Sequence, residues 1–209
     1  MIEFFKNLST KYKLDEFAVS QYIKYCNYLN EENQKYNLTG FKTLESIVSG
    51  NIVDSLEGIY SKEILKSNEI IDIGTGCGVP GIVLAIKFPE KKFYLMEVIE
   101  KRIYFLEEVI KILDLKNCEI ISYDFKTLIR KGYIKTSCFI TRASLPLKDL
   151  FFMFSESSKY EKASLVYWGS KSWNELFSKK ELQNFKITKH LYEINSKERE
   201  IVDFKNFKN

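Results

Sequence analysis

Three glycines closely follow an acidic residue at the end of a short apolar segment. The acidic residue is Asp72, and the glycines are Gly74, Gly76 and Gly78. Glycines let a chain turn sharply at the carboxyl end of a strand and let a ligand approach the backbone. Glu97 ends the next apolar segment, where a carboxylate can accept hydrogen bonds from both hydroxyls of a ribose. We therefore predict that a nucleoside-containing cofactor binds across these strand ends.

The glycine spacing separates two cofactors of this kind. The three glycines run as GxGxG, and Gly81 falls at the wrong offset for the third glycine of the dinucleotide fingerprint GxGxxG. An acidic residue directly before the loop is badly placed near a pyrophosphate, whereas Asp72 suits the ammonium of a methionine moiety. The spacing favours S-adenosylmethionine over NAD. A tight turn without a ligand and a nicotinamide enzyme are the alternatives.

The segments around these residues alternate between strand-like and helix-like patterns. Strands are predicted at Ile70–Ile73, Lys92–Glu97, Cys118–Tyr123, Cys138–Arg142, Ser164–Trp168, Lys186–Glu193 and Glu200–Phe204. Helices are predicted at Gly81–Ile86, Lys101–Leu113, Leu147–Phe154 and Trp173–Phe185. This alternation indicates βαβ units and an α/β fold with a parallel sheet covered on both faces.

The chain before the first strand has a helical pattern. Apolar residues recur at helical spacing over Asp15–Glu31, and Leu44–Ile59 also reads as helical despite Gly50. We therefore predict a helical cap over residues 1–65 and a sheet-containing domain over residues 66–209, joined in one compact unit.

The content of cysteine and histidine excludes several classes of function. Cys26, Cys77, Cys118 and Cys138 lie far apart and lack the short paired spacing of a structural zinc site or a thioredoxin-like centre. His190 is the only histidine, which nearly excludes mechanisms that need a histidine base and a histidine metal ligand together. We expect no bound metal.

Charge and hydropathy bear on partners and location. No apolar run approaches the roughly 20 residues that span a membrane. The first residues also lack the basic start and small-residue cleavage site of a signal peptide. We expect a soluble, cytoplasmic protein without a membrane partner. The net charge of +4, from 32 basic and 28 acidic residues, is compatible with a polyanionic partner but does not require one.

Five segments of the chain form a more specific pattern: Tyr36–Thr39, Ile52–Ser55, Ile71–Ile82, Lys101–Leu106 and Ile140–Ala143. In this order and spacing they resemble the small-subunit ribosomal RNA guanine-N7 methyltransferase G family, also called glucose-inhibited division protein B. The resemblance covers roughly residues 37–202. Its Gly-Thr-Gly-Cys-Gly-Val-Pro-Gly-Ile run is far more specific than a generic methyltransferase glycine loop.

The resemblance implies a class I (Rossmann-like) methyltransferase fold with an N-terminal helical extension. It implies transfer of a methyl group from S-adenosylmethionine to N7 of one guanine in 16S ribosomal RNA. The partner would be that RNA or a precursor of the small ribosomal subunit, and we expect the protein to act as a monomer. Guanine N7 carries an in-plane lone pair and no proton, so its attack on a methyl group needs positioning but no general base.

Site residues follow from the resemblance. It implies that Gly74 and Val79 line the cofactor, that Glu97 takes the ribose, and that Phe125 and Lys126 flank the adenine. Arg142 matches an arginine that the family places at the pocket for the cofactor and the target base.

Other roles rest on residue type and have structural alternatives. Arg142 could hold the guanine O6 edge or a phosphate, and Asn37 could orient the base or simply end a helix. Lys101 and Arg102 could contact RNA phosphates or form a solvated helix face. RNA contacts are also predicted for Lys171 and Arg199. Asp54 and Ser55 could be buried hydrogen-bonding structure.

The chain departs from the family pattern at several positions. Gly50 and Asn51 stand where an Arg-His pair is usual, and Asp124 stands where an arginine is usual. Trp168 replaces a common lysine, and Glu200 replaces a histidine. Asp124 could instead accept a hydrogen bond from the adenine amino group. Because these basic groups are missing, two rival functions stay open: a class I methyltransferase with a protein or small-molecule substrate, and a noncatalytic RNA-binding relative.

Overall fold

A seven-stranded sheet organises the computed structural model, which describes residues 2–142 and 144–207. Ala143, the last residue of the resemblance motifs, lies outside the described residues. The strands are β1 Glu69–Ile73, β2 Lys92–Met96, β3 Cys118–Ile121, β4 Cys138–Thr141, β5 Ser164–Ser170, β6 Phe185–Ile194 and β7 Lys197–Asn206. All seven predicted strands are therefore present, with shifts of a few residues at their ends.

The strand order is β3-β2-β1-β4-β5-β7-β6. The first five strands are parallel, and β7 is antiparallel to both β5 and β6. The order reverses between β1 and β4, because the chain leaves β3 at one edge and returns to the middle of the sheet. Ligands of open α/β sheets bind at such a switch point, outside the carboxyl ends of the strands.

Helices cover both faces of the sheet. They are α1 Ile2–Tyr12, α2 Glu16–Tyr36, α3 Leu44–Ile47, α4 Asp54–Leu56, α5 Lys62–Lys66, α6 Gly81–Lys87, α7 Glu100–Ile112, α8 Phe125–Lys131, α9 Leu147–Leu150 and α10 Lys179–Leu182. Two hydrophobic clusters of buried side chains form the core. No helix among the described residues is long and apolar enough to cross a membrane.

Helix α2 packs against the sheet domain. Asp15 begins it as N-cap by accepting a hydrogen bond from the Ala18 backbone N–H at 2.7 Å. The buried hydroxyl of Tyr22 donates to the Val83 carbonyl at 2.9 Å, and that of Tyr25 donates to the Cys77 carbonyl at 2.6 Å. The N-terminal helices therefore share the core of the sheet and hold the glycine loop from outside.

The predicted helical segment between Leu44 and Ile59 is helical but irregular. A π-helix, Val48–Val53, joins α3 to α4, and a 3₁₀-helix, Glu57–Tyr60, follows. π-helical turns widen a helix by one residue and occur often at functional sites. Here the wide turn contains Gly50, whose carbonyl faces the sheet edge.

The helix predicted at Trp173–Phe185 is wrong. The structure has a 3₁₀-helix, Trp173–Leu176, and then the one-turn helix α10. Ser178 and Glu181 form a capping box, in which each side chain accepts from the backbone N–H of the other residue. Because a capping box starts a new helix, it separates these two short elements.

Candidate functional site

A cavity of about 540 Å³ opens at the carboxyl edge of the sheet, at the switch point between β1 and β4. This volume is in the range of small-molecule sites, about 300–1,000 Å³. The predicted site residues that line it are Gly74, Gly76, Val79, Glu97, Arg102, Asp124, Phe125 and Arg142. Those that do not line it are Asn37, Asp72, Gly78, Lys101, Lys126, Lys171 and Arg199.

Asp72 lies beneath the glycine loop. Its side chain is fully buried, and Oδ2 accepts from the Thr75 hydroxyl at 2.6 Å and from the Gly81 N–H at 2.8 Å. Burial raises the pKa of Asp72 to about 7, although these two hydrogen bonds and the charge of Arg142 act in the opposite direction. The observed contacts hold the loop closed, while the expected contact with a cofactor ammonium stays a prediction.

The loop above Asp72 exposes its backbone to the cavity. Gly76 has a φ of +61°, and a Cβ at this residue would meet only the Gly74 carbonyl oxygen, at 4.0 Å. Gly74 also has a positive φ, and a Cβ there would lie 2.3 Å from the Ser144 Cβ. Gly74 is therefore required by close packing, whereas Gly76 keeps the cavity open to a ligand.

Glu97 is held by backbone N–H groups at the end of β2. Its Oε1 accepts from the N–H groups of Val98 and Ile99 at 2.8 and 3.0 Å. Its Oε2 accepts from Gly76 N–H at 3.1 Å and lies 3.4 Å from the Arg102 guanidinium. The side chain is nearly buried but still lines the cavity. A carboxylate fixed this rigidly presents a preorganised acceptor to hydroxyl donors.

Asp124 and Phe125 close the cavity on the side of β3. Asp124 is the N-cap of α8 and accepts from the Thr127 N–H at 2.8 Å and from its hydroxyl at 3.2 Å. These hydrogen bonds, the backbone one foremost, lower the pKa of the Asp124 carboxyl. Phe125 is buried beside it, whereas Lys126 points away into a neighbouring cavity.

Arg142 follows β4 and faces β1 across the cavity. One terminal nitrogen donates to the Gly50 carbonyl at 2.6 Å and to Asp54 at 3.1 Å, and the other donates to the Asn51 amide oxygen at 2.9 Å. Three of its five N–H donors are therefore used, and within the described part of the chain the other two have no partner. Gly50 and Asn51, the departures from the family pattern, hold this arginine in place.

Asp54 is the centre of a buried cluster. Besides Arg142, its carboxylate accepts from the Tyr192 hydroxyl at 2.6 Å and lies 3.1 Å from Arg199 Nε. Its backbone carbonyl accepts from the Trp168 indole at 2.8 Å. The buried hydrogen-bonding alternative for Asp54 is therefore what the structure shows. The role of Tyr192 was not evident from the sequence, because nothing near it in the chain indicates a distant partner.

The segment after α2 forms the outer wall. Leu38, Thr39 and Gly40 line the cavity. Asn33, which the sequence did not single out, fixes the segment: its amide donates to the Phe41 carbonyl and accepts from the Thr39 N–H, both at 2.8 Å. Asn37 is exposed and ends α2 with a φ of +50°. Of the two alternatives for Asn37, the structure shows the helix end, while a role in orienting the base stays a prediction.

The predicted RNA-contacting residues are dispersed. Lys101 is exposed and donates to the Tyr36 carbonyl at 3.0 Å, so it fastens α7 to the end of α2. Lys171 pairs with Glu198 at 2.8 Å on the surface. Arg199 is engaged by Asp54 and Tyr192, which leaves its guanidinium partly buried. These contacts neither require nor test a role in RNA binding.

In the part of the chain that the structure describes, no group of three or more His, Cys, Asp or Glu side chains could hold a metal ion.

Comparison with known proteins identifies the family. Residues 18–202 match the family model of the rRNA small subunit methyltransferase G (GidB). The chain is 32% identical over 203 residues to the ribosomal RNA small subunit methyltransferase G of Mycoplasma capricolum, covering 95% of this chain and 85% of the relative. The protein of the same name from Thermoanaerobacter sp. is 43% identical over 108 residues, which is 52% of this chain and 45% of the relative. Several relatives are thus matched over only about half of their length.

Solved structures are similar in fold. A variant of MtNAS in complex with S-adenosylmethionine superposes with a TM-score of 0.57 at 14% identity, covering 91% of this chain and 76% of that one. The ribosomal protein L11 methylase of Lactobacillus delbrueckii gives a TM-score of 0.54 at 14% identity, covering 73% and 77% of the two chains. The predicted class I methyltransferase fold is confirmed. Because the family model matches residues 18–202, which are most of this chain, the chain belongs to the rRNA small subunit methyltransferase G family.

Proposed function

We propose that this protein transfers a methyl group from S-adenosylmethionine to N7 of a guanine in 16S ribosomal RNA. One observation carries the proposal: a single cavity joins the glycine loop and Glu97 on one side to Arg142 on the other. Family membership supports the substrate, because the relatives are named for the small-subunit ribosomal RNA.

The residues at the cavity fit S-adenosylmethionine. Gly76 leaves space where a side chain would intrude, and Glu97 offers a fixed carboxylate beside it. All four lone-pair directions of the Glu97 carboxylate are used. The 3.4 Å contact from Arg102 is the longest of the four, and a ribose hydroxyl could replace it. Asp124 and Phe125 lie where an acceptor and an apolar face would meet an adenine.

The protein's own part in the reaction is positioning. When bound, S-adenosylmethionine supplies a methyl group on a sulfonium, which an unprotonated nitrogen can attack directly. Guanine presents N7 and O6 as acceptors on one edge. An arginine fork on both atoms would block N7, so we assign the two free donors of Arg142 to O6 or to a phosphate. Asp54, Asn51 and the Gly50 carbonyl hold the guanidinium in that orientation.

The remaining parts of the proposal concern organisation. We propose that the protein acts in the cytoplasm as a monomer, on 16S RNA or on a precursor of the small subunit. We also propose that residues 1–65 form a helical cap on the methyltransferase domain of residues 66–209. The hydrogen bonds from Tyr22 and Tyr25 of α2 to the sheet domain support one compact unit.

A transfer assay tests the function. Purified protein is incubated with tritiated S-adenosylmethionine and with naked 16S RNA, small ribosomal subunits or a protein extract. We expect label in RNA and its loss with Arg142→Lys, which keeps a positive charge beside Asp54 but loses the donors of the guanidinium fork, while the affinity for S-adenosylmethionine by calorimetry falls less than about threefold. Label in protein would favour the rival substrate class. RNA binding without any binding of S-adenosylmethionine would favour a noncatalytic relative.

A further inference from the structure

A second cavity, of about 1,080 Å³, adjoins the first. It lies between α8 and the segment that begins with α9, and we call it the α8–α9 groove. Asp124, Phe125 and Leu145 line both cavities, so the groove adjoins the candidate site along these residues. A linear polymer that reaches the first cavity from this side would lie in the groove.

Positive charge predominates in the α8–α9 groove. Its lining contains the cations Lys126, Arg130, Lys148 and Lys159 and the two acidic residues Asp124 and Asp149. The Asp124 carboxylate already accepts two hydrogen bonds from Thr127. Lys148 pairs with Glu181 at 3.4 Å, while Lys126, Arg130 and Lys159 have no ion-pair partner among the described residues. Four cations against two carboxylates leave the groove lining with an excess of positive charge, which attracts a polyanion.

The side chain of Lys159 packs against the end of α8. Gly132 ends this helix with a φ of +55°, and a Cβ at Gly132 would lie 2.5 Å from the Lys159 Cδ. The lysine stem therefore packs closely over the helix end. Lys159 and Arg130 both line the groove.

An exposed aromatic ring lies among these cations. Phe152 is 57% exposed, whereas its neighbours Met153 and Phe154 are buried in the core. An exposed ring between cations is the combination that binds single-stranded nucleic acid, with phosphates on the cations and a base stacked on the ring.

We propose that the α8–α9 groove binds the single-stranded RNA segment next to the target guanine. Its phosphates lie on Lys126, Arg130 and Lys159, and one of its bases stacks on Phe152. This inference rests on the proposed function and deepens it, because it assigns the surface over which the RNA approaches the cavity.

The charge part of the proposal is tested by RNA affinity. A fluorescein-labelled single-stranded RNA of about 12 nucleotides, within the usual range of site sizes, is titrated with protein at several salt concentrations. We expect Arg130→Gln with Lys159→Gln to weaken binding by about tenfold and to lower the slope of log K against log salt by about 1.4. The matched control is Lys6→Gln with Lys24→Gln, two exposed lysines of α1 and α2 that line neither cavity.

The stacking part is tested separately. Phe152→Ala is expected to weaken RNA binding by about fivefold or more, whereas Phe152→Tyr keeps the affinity because it keeps a ring. The control is Phe17→Ala, since Phe17 is an even more exposed ring on α2, 69% exposed and outside both cavities.

The outcomes separate this proposal from the proposed function. An equal loss in the groove and control variants, no loss in either, or no RNA binding by the unmodified protein would overturn the groove proposal. Methyl transfer to RNA with groove-independent binding would leave the function standing without the groove. Groove-dependent RNA binding with no transfer of label from S-adenosylmethionine would leave the groove standing without the function.

Discussion

The two halves of the candidate site are built in different ways. In the loop half, the carboxylates of Asp72 and Glu97 accept hydrogen bonds from residues 1 to 21 positions away in the chain. The arginine half is held by contacts between residues 88 to 138 apart, from Arg142 to Asp54 and from Asp54 to Tyr192. The loop half is thus one βαβ unit, whereas the arginine half requires the N-terminal helices, β4 and the β6–β7 hairpin together.

This difference has an energetic side. The carboxylates of the loop half accept mostly from backbone N–H groups, which exist whatever the side chains are. Asp54 accepts from two guanidinium groups and a phenol, all of them side chains. Removing one side chain therefore leaves buried charge without a partner in the arginine half. We expect mutations there to affect folding first and mutations in the loop half to affect the cofactor first.

The largest expected effect is that of Asp54→Ala. It leaves Arg142 and Arg199 partly buried without their counter-charge, and we expect a loss of about 3–5 kcal/mol in the free energy of unfolding by urea. Glu119→Ala is the control, because its pair with Lys92 at 3.1 Å is exposed and should leave the midpoint nearly unchanged. Equal stability of the two variants would show that the Asp54 cluster is not a structural centre.

Glu97→Gln tests the loop half. The amide presents one acceptor oxygen in place of two and turns a donor group toward the N–H groups of the loop. We expect S-adenosylmethionine to bind about ten to a hundredfold more weakly by calorimetry, as for a lost hydrogen bond to a charged group. Because that donor group faces backbone N–H groups, the free energy of unfolding should also fall, by about 1–3 kcal/mol. The control is Glu100→Gln, three residues further along at the exposed start of α7. An unchanged affinity would remove Glu97 from the cofactor site.

Asp72 gives a prediction about pH. Because burial raises its pKa to about 7 in the folded state, folding favours the protonated form, and the resulting stability is lost as the pH rises toward 7. Between about pH 5.5 and pH 7.5 this loss amounts to about 2 kcal/mol. Urea unfolding of the unmodified protein and of Asp72→Asn at both values measures it. The variant should lose less stability over this range, and equal losses would contradict the assignment.

The smallest effect is expected for Lys171→Ala. Its ion pair with Glu198 is exposed on both sides, so water and salt screen it. We expect no measurable change in the urea midpoint, in contrast to Asp54→Ala. A clear destabilisation would mean that the surface of the hairpin contributes to the arginine half.

The loop half could be predicted from the sequence because its contacts are local. The glycine run, the strand-ending Glu97 and the βαβ alternation all lie within 30 residues, and the structure places them as expected. The strands were predicted well for the same reason, since their apolar runs are continuous. What failed was short-range helix termination, as at Ser178, where a polar capping pair interrupts an apolar pattern.

The arginine half could be predicted only in part. Arg142 was predicted through its match to an arginine of the family that the sequence resembles, but its partners Gly50 and Asn51 looked like departures from the family pattern. The π-helix that turns the Gly50 carbonyl toward Arg142 has no sequence signal of its own. Tyr192 and Asn33 were missed because their partners leave no periodic pattern in the sequence. Tyr192 donates to the carboxylate of the distant Asp54, and Asn33 bonds the irregular backbone at Thr39 and Phe41.

One measurement tests the central claim directly. N7-methylguanine is mapped along 16S RNA from cells that express the unmodified chain, cells that lack it, and cells that express Glu97→Ala. We predict one modified guanine with the unmodified chain, and its loss in the other two strains. The same N7-methylguanine pattern in all three strains would contradict the account.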